Sequence, residues 1–403
     1  MNRSVQVLQT INSARVTTDG LFNRIRPDSL YARPVPERHR FIFYMGHLEA
    51  FDWNLICRNT LEIASPHAEL DQLFAFGIDP GPGQLPQDEP KEWPSVEEVR
   101  RYNRDVRHGL DQLLPTVPEQ ILHVALEHRL MHVETLSYIL HNLEPERKAL
   151  PRLTLQTSAA DPKHEMILIP EGIATLGRAA AEGFRWDNEC ESHAVKVPPF
   201  LVSKYKVTNR QYLEFVGEGG PVPHYWTQHG ERWLWRGMCG EIPLPLHWPV
   251  YVSHEQAQAY VRWSGKALPS EAQFHRAAYA TPGGEERMYP WGNEPPTNRH
   301  GHFDYQGWDP IPVNATPLGD SAFGVSQLVG NGWEWTCTPF HPFDGFKTFP
   351  FYPGYSERFF DGDHFVLKGG SAQTAVPLLR RSFRNWFRGG YPYGYAGFRY
   401  VER

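Results

Sequence analysis

The sequence predicts an α+β chain of two dissimilar domains, a four-helix bundle followed by a loop-rich domain of short strands. Three observations predict it. Apolar residues recur at helical spacing up to Leu143. The helical period then stops in a stretch of polar residues and prolines. Beyond that stretch, short β-like runs alternate with dense glycine, proline and tryptophan. The expected boundaries are a bundle over 1–145, a linker over 146–164 and a second domain over 165–403. A length of 403 residues suits two or three domains.

The first two helices are expected around Ser13–Ile25 and His39–Ile63. A loop over Gly77–Pro94 follows, rich in proline and glycine (DPGPGQLPQDEP). The third helix is expected over Ser95–Leu114, because Ser95 with Glu98 forms a capping-box pattern. Its apolar positions Val96, Val99, Tyr102, Val106, Leu110 and Leu113 keep helical spacing. Pro118 opens the fourth, which is apolar nearly all round and therefore expected to be largely buried. An up-down bundle is the natural packing. In the second domain MILIP, HAVKV and FLVSKYKV read as strands, and VTNRQYLEFV, SHEQAQAYVRWSG and SEAQFHRAAYA as helices. No tandem repeat of fixed period is present.

Composition removes several function classes. The formal net charge is −6 with no long Lys/Arg run, which argues against nucleic acid as a partner. The longest apolar runs are too short to span a bilayer. The N-terminus has neither an apolar stretch nor a cleavage-like site, so the expected location is the cytoplasm. The four cysteines, Cys57, Cys190, Cys239 and Cys337, form no CxxC pair and read as free thiols rather than a zinc or disulfide framework. The aromatic residues (13 Trp, 18 Tyr, 23 Phe), concentrated after residue 180, suit irregular backbone packed by large rings.

The strongest chemical signal is His128-Arg-Leu-Met-His132-Val-Glu134. Histidines at i and i+4 share one helix face and can both point at one ion. Glu134 lies about 160° round the helix from His132, which disfavours it as a third ligand and suits a supporting or structural role. The best third nitrogen is His47, in the apolar helical context FIFYMGHLEAFDWN, where an unpaired imidazole would be costly. Three neutral nitrogens suit zinc or iron, and spacing does not decide between them. A lone buried histidine is more often a hydrogen-bonded core residue; the pairing on a buried helix is what raises the metal reading.

These residues, together with the second half, resemble the ergothioneine/selenoneine synthase family. That family joins an N-terminal DinB-like four-helix bundle to a formylglycine-generating-enzyme-like domain of C-type-lectin-like fold. The matching segments are HxxxHxE at His128, His132 and Glu134, His47 in GHLEAFDWN, and, in the second half, KYKVTNRQYLEF, KALPSEAQFHRAA, YPWGNE, AFGVSQLVGNGWEWT, VLKGGS and AGFR. The resemblance implies iron(II) held by His47, His128 and His132, and dioxygen-dependent coupling of a chalcogen to the imidazole ring of hercynine, at the junction of the two domains. It implies that Asn385 and Trp386 contact hercynine, whose trimethylammonium group suits aromatic faces. It also implies a tyrosine proton donor, for which Tyr352 and Tyr355 in FPFYPGYSERFF are the candidates, with Tyr102 behind them.

The sequence departs from the family where some members clamp γ-glutamylcysteine. The aspartate after the Asn-Trp pair is Phe387, the stretch before the third helix reads KEWPS without arginine, and the glutamine before the second helical histidine is Met131. Those changes remove the groups that bind a dipeptide zwitterion. The donor is therefore expected to be something else; the segment ERHRFIFYMGHLEAFDWN and the apolar Phe387 resemble the selenoneine branch, and that resemblance implies a selenosugar. Cysteine is the alternative, with Arg380, Arg381 and Arg384 as candidates to hold its carboxylate, although arginines on a surface turn are more often solvated or paired. A formylglycine-generating enzyme is disfavoured because GGSAQTAVPLLRRSFRNW contains no cysteine. Two further rivals are a non-catalytic lectin-like module and a zinc hydrolase of the DinB-like group.

Overall fold

The computed structural model describes residues 3–75, 84–150 and 161–402. The chain separates into two compact units: residues 1–151 with 350–352, and 152–349 with 353–403. Residues 151–160 of the expected linker and 77–83 of the expected loop lie outside the described residues.

The helical unit contains α1 (Arg3–Phe22), α2 (Phe41–Trp53), α3 (Ala68–Leu73), α4 (Val96–Leu113) and α5 (Glu119–His141). α1 starts earlier than expected, and α3 is a short helix that sequence periodicity does not announce. α4 starts where its capping pattern places it, with Ser95 Oγ accepting from the Glu98 N–H at 3.2 Å. It buries Val99, Tyr102, Val106 and Leu110 as one stripe. α5 is buried on most faces, as its apolar sequence demands, while Pro118 stands just ahead of its first turn. α1 lies along α5 and α2 along α4. α2 runs directly into a π-helical turn over Asn54–Arg58.

The second unit holds β1 (Met166–Ile169), β2 (Gly172–Leu176), β3 (His193–Val197), β4 (Phe200–Ser203), β5 (Trp226–His229), β6 (Arg232–Gly237) and β7 (Gly240–Pro243). After these come β8 (Trp333–Pro339), β9 (His364–Lys368), β10 (Asn385–Arg388), β11 (Ala396–Gly397) and β12 (Val401–Glu402). They form sheets ordered β1-β4-β12, β10-β9-β8-β11, β2-β3 and β5-β6-β7. Its three longer helices, α6 (Asn209–Gly217), α7 (His254–Trp263) and α8 (Glu271–Tyr279), each begin at a Thr or Ser cap answered by a glutamine three residues on. These are the three segments whose periodicity predicts helices.

Two features explain the motif GNGWEW. Gly332 has φ +112°, and a Cβ there would meet the Tyr251 ring at 2.6 Å, so only glycine fits. Glu334 on β8 is fully buried between Lys206 (2.9 Å) and Arg399 (2.8 Å), an ion cluster joining β8 to the segments before α6 and after β11. None of the four cysteines is in a disulfide; Cys57 and Cys190 are buried, Cys239 is half-buried and Cys337 is exposed.

A candidate metal centre

α5 places His128 and His132 one turn apart, with their Nε2 atoms 3.2 Å from each other. α2 supplies His47 opposite. The ring centroid of His47 is 5.3 Å from that of His128 and 5.0 Å from that of His132. One nitrogen from each of the three rings falls within 4.8 Å of the others, and all three side chains are buried. Three histidines that the sequence singles out thus converge.

The orientation of His47 comes from backbone. Its Nδ1 donates to the Phe74 carbonyl at 2.7 Å, which leaves Nε2 as the lone-pair nitrogen. That contact depends on Gly46, because a Cβ at this position would meet the Phe74 ring at 2.4 Å. Stacked rings hold the imidazoles: Phe43 on His47 at 4.9 Å, and Phe51 on His128 at 3.4 Å between centroids. Nδ1 of His128 and Nδ1 of His132 are buried with no hydrogen-bond partner.

Burial drives the electrostatics. It lowers the His47 pKa to about 4 against the opposing effect of the hydrogen bond that His47 donates to the Phe74 carbonyl. It takes His128 and His132 well below the ordinary value, helped by the neighbouring imidazoles. Three neutral imidazoles crowded together, with no carboxylate among them, form the donor set of a divalent transition metal such as iron(II) or zinc. The crowding of three uncharged rings fits such an ion better than three independent core histidines, each of which would hold its own hydrogen bonds.

Behind the histidines lies a charged clamp. Arg129, the neighbour of His128, reaches Glu49 at 2.9 Å and Asp52 at 2.7 Å on α2, with both carboxylates buried. Arg107 on α4 adds a bond to Glu49 at 2.7 Å. Burial opposes ionisation of Glu49, but Arg129 and Arg107 hold its carboxyl below the usual range, whereas burial raises Asp52. The clamp ties the two histidine-bearing helices together.

The tyrosine candidates separate. Tyr352 belongs to the helical unit, with its ring 6.4 Å from His128 and 5.2 Å from Phe51. Together with His47, Phe51 and Arg58 it borders a cavity of about 230 Å³. Tyr355 is buried in the second unit, stacked on Trp186 at 3.9 Å and edge-on to Trp386 at 5.4 Å. Tyr102 is buried in the bundle, donating to Asp71 at 2.6 Å; burial and that carboxylate raise its pKa. Met131 and Glu134 are half-buried on α5.

In the second unit, Asn385, Trp386 and Phe387 form β10, paired with β9. Trp386 stacks on Phe340 at 4.2 Å, and Phe387 stacks on Tyr391 at 5.0 Å. Strand alternation puts Trp386 on one face, Asn385 and Phe387 on the other. Of the two readings of Arg380, Arg381 and Arg384 in their turn, clamping a ligand carboxylate or being paired, the structure has each one holding a carboxylate of the chain. Arg384 is 2% exposed and lies 3.2 Å from Glu271, with its guanidinium 4.1 Å from the Phe343 ring centroid. Arg380 pairs with Glu189 at 2.9 Å and Arg381 with Glu286 at 2.7 Å. Local sequence places arginines in a turn; only distant glutamates bury and neutralise them.

Phe43 and Phe51 went unremarked in the sequence, although their spacing of four from His47 was a usable signal. The Phe74 carbonyl had none, because it is backbone brought in by tertiary packing.

Comparison with known proteins gives a consistent picture. Residues 10–139 match the DinB superfamily, and residues 152–403 match the sulfatase-modifying factor enzyme 1-like domain. The chain is 38% identical over 228 residues to a hercynine oxygenase of Mycobacterium tuberculosis, covering 52% of this chain and 53% of that protein. It is 32% identical over 320 residues to a hercynine oxygenase of Mycolicibacterium smegmatis, covering 72% and 74% respectively. It is 28% identical over 438 residues to ergothioneine biosynthesis protein 1 of Schizosaccharomyces pombe, covering 96% of this chain and 54% of that one. The matches thus span about half the length of the first and third of these relatives.

Proposed function

This chain belongs to the ergothioneine synthase-like family, in which a DinB superfamily region precedes a sulfatase-modifying factor enzyme 1-like domain, and from that premise we propose that it joins hercynine to a chalcogen donor, forming a carbon–selenium bond with a selenosugar. The observation that carries the reading is the convergence of His47, His128 and His132 within 4.8 Å. These three residues would hold iron(II). When bound, iron(II) supplies dioxygen activation and a coordination position for an imidazole substrate.

The chain's own groups perform the remaining tasks. The Phe74 carbonyl fixes the His47 tautomer, and the stacked faces of Phe43 and Phe51 hold two rings in place. Burial keeps all three imidazoles neutral and able to donate lone pairs. Tyr352 is the proton donor of this reading, since its ring lies 6.4 Å from that of His128 and it borders the same cavity as His47. Asn385 and Trp386 are assigned to hercynine on the family resemblance, and Trp386 offers the aromatic face that a trimethylammonium group prefers.

Phe387 and the engaged arginines support a donor other than an amino acid. With Arg380, Arg381 and Arg384 each bound to a glutamate, the candidates for clamping a cysteine carboxylate are taken. The test is anaerobic reconstitution with iron(II) and hercynine, followed by dioxygen and a selenosugar, cysteine or γ-glutamylcysteine, read by mass spectrometry. A selenium adduct of hercynine formed from the selenosugar is the expected result. A sulfur adduct from either thiol, without a selenium adduct, would move the protein to ergothioneine-type chemistry.

A further inference from the structure

The geometry points to Arg58 and Asn54 as the residues that select the chalcogen donor, and to a polyhydroxylated, sugar-like molecule as what they select. This deepens the proposed reaction and rests on it for the identity of the second substrate.

The cavity beside His47 is small. Its volume of about 230 Å³ equals that of roughly seven or eight waters. It is bounded by a stripe that runs along one helix, His47, Phe51, Asn54 and Arg58, at spacings of four, three and four. The far end of that stripe is the π-helical turn, in which the Asn59 N–H donates to the Asn54 carbonyl five residues back at 2.9 Å. Such turns insert an extra residue and re-aim the side chains after them. Arg58, the last residue of that turn, borders the same cavity as Asn54 and His47.

Two polar groups here have work left to do. Arg58 is exposed and makes no ion pair among the described residues, unlike Arg129, Arg107 and Arg15 in the same unit. Asn54 Oδ1 is buried with no hydrogen-bond partner, while its Nδ2 donates to the Asp71 carbonyl at 3.3 Å. A buried amide oxygen without a donor is costly, so it fits a ligand hydroxyl. Arg58 offers a fork of donors to ligand oxygens. Phe51, Phe351 and Tyr352 offer ring faces, and no carboxylate is among the described lining residues. An amino-acid or dipeptide donor carries an ammonium group that would find no anionic partner among the described lining residues. A monosaccharide bearing its chalcogen at one end finds acceptors, donors and an aromatic wall.

The probe is 1-thio-β-D-glucose, titrated calorimetrically and anaerobically into the full chain with and without iron(II); hercynine serves as the control and γ-glutamylcysteine as the competitor. Wild type is expected to bind the thiosugar in preference to the dipeptide. Arg58→Met and Asn54→Ala should each weaken thiosugar binding tenfold or more and leave hercynine affinity within twofold. Unchanged thiosugar affinity in both variants, parallel loss of hercynine binding, or a wild-type preference for γ-glutamylcysteine would overturn the inference. Failure of the reaction is a separate outcome: Arg58-dependent sugar binding without any hercynine adduct under dioxygen would leave this assignment standing and remove the proposed chemistry.

Discussion

His132 is buried between His128 and His47, and its replacement removes a nitrogen that nothing nearby can substitute. His132→Ala is expected to lose iron binding and turnover together while far-ultraviolet circular dichroism keeps its helical signal; wild-type iron content in this variant would exclude His132 as a ligand. Tyr352→Phe keeps the ring that packs edge-on to Phe51 and removes only the hydroxyl. If that hydroxyl delivers the proton, kcat should fall by about 10²-fold or more with little change in the hercynine KM. A third residue tests burial electrostatics away from the histidine cluster. His254, stacked on Phe365 at 3.7 Å, has its pKa lowered to about 4, chiefly by burial. An unfolded histidine titrates near 6.5, so between pH 6.5 and 4 the unfolded chain binds the extra proton. Stability contributed by neutral His254 is therefore complete above pH 6.5 and lost as pH falls toward 4, about 2 kcal/mol of it by pH 5. Urea titrations at pH 7 and 5 should show His254→Phe with a correspondingly smaller pH dependence than wild type.

The element that matters most to the site is the pair α2–α5, since one helix brings His47 and the other His128 and His132. Their apolar faces would pack in more than one register, whereas the clamp of Arg129 on Glu49 and Asp52 has one geometry. Arg129→Met leaves two carboxylates buried, with only Arg107 bonded to Glu49. Breaking a buried pair in this way costs about 3–5 kcal/mol. Denaturant unfolding should report that loss, and metal affinity should fall alongside it because the histidines lose their register. A variant as stable as wild type would show the clamp to be dispensable.

At the scale of the molecule, each unit has its own core, and all three candidate ligands belong to one of them. A ligand that binds only the folded form stabilises by mass action, about 2.7 kcal/mol at a hundredfold excess over Kd. Iron(II), or cobalt(II) as a redox-quiet probe, is therefore expected to raise the melting of the helical unit, followed at the helical band. The melting of the tryptophan-rich second unit should move less. Equal shifts in both signals would place a metal-linked element in the second unit as well. Among the described residues, no helix is long and apolar enough to cross a membrane.

Much of this was legible in the sequence because it depends on local rules. Periodicity located α4 and α5, the Ser95 pattern set the start of α4, and the glutamine-answered caps of α6, α7 and α8 lie within the three segments whose periodicity marks helices. The spacing of His128 and His132 was a statement about one helix face, and His47 stood out because an imidazole in an apolar run needs a partner. Tertiary structure alone decided the rest. The Phe74 carbonyl reaches His47 across 27 residues, and α3, which ends just before it, is too short to show a period. The partner of Arg384 is Glu271, 113 residues away, which no local pattern around the turn specifies. That Tyr352 lies beside His128 while Tyr355 stacks on Trp186 could not be read from two tyrosines three residues apart in one loop. Helix caps and periods are interactions within a few residues and leave their mark in order along the chain; orientation of a ring, burial of a charge and the walls of a cavity are set by neighbours that sequence order does not specify.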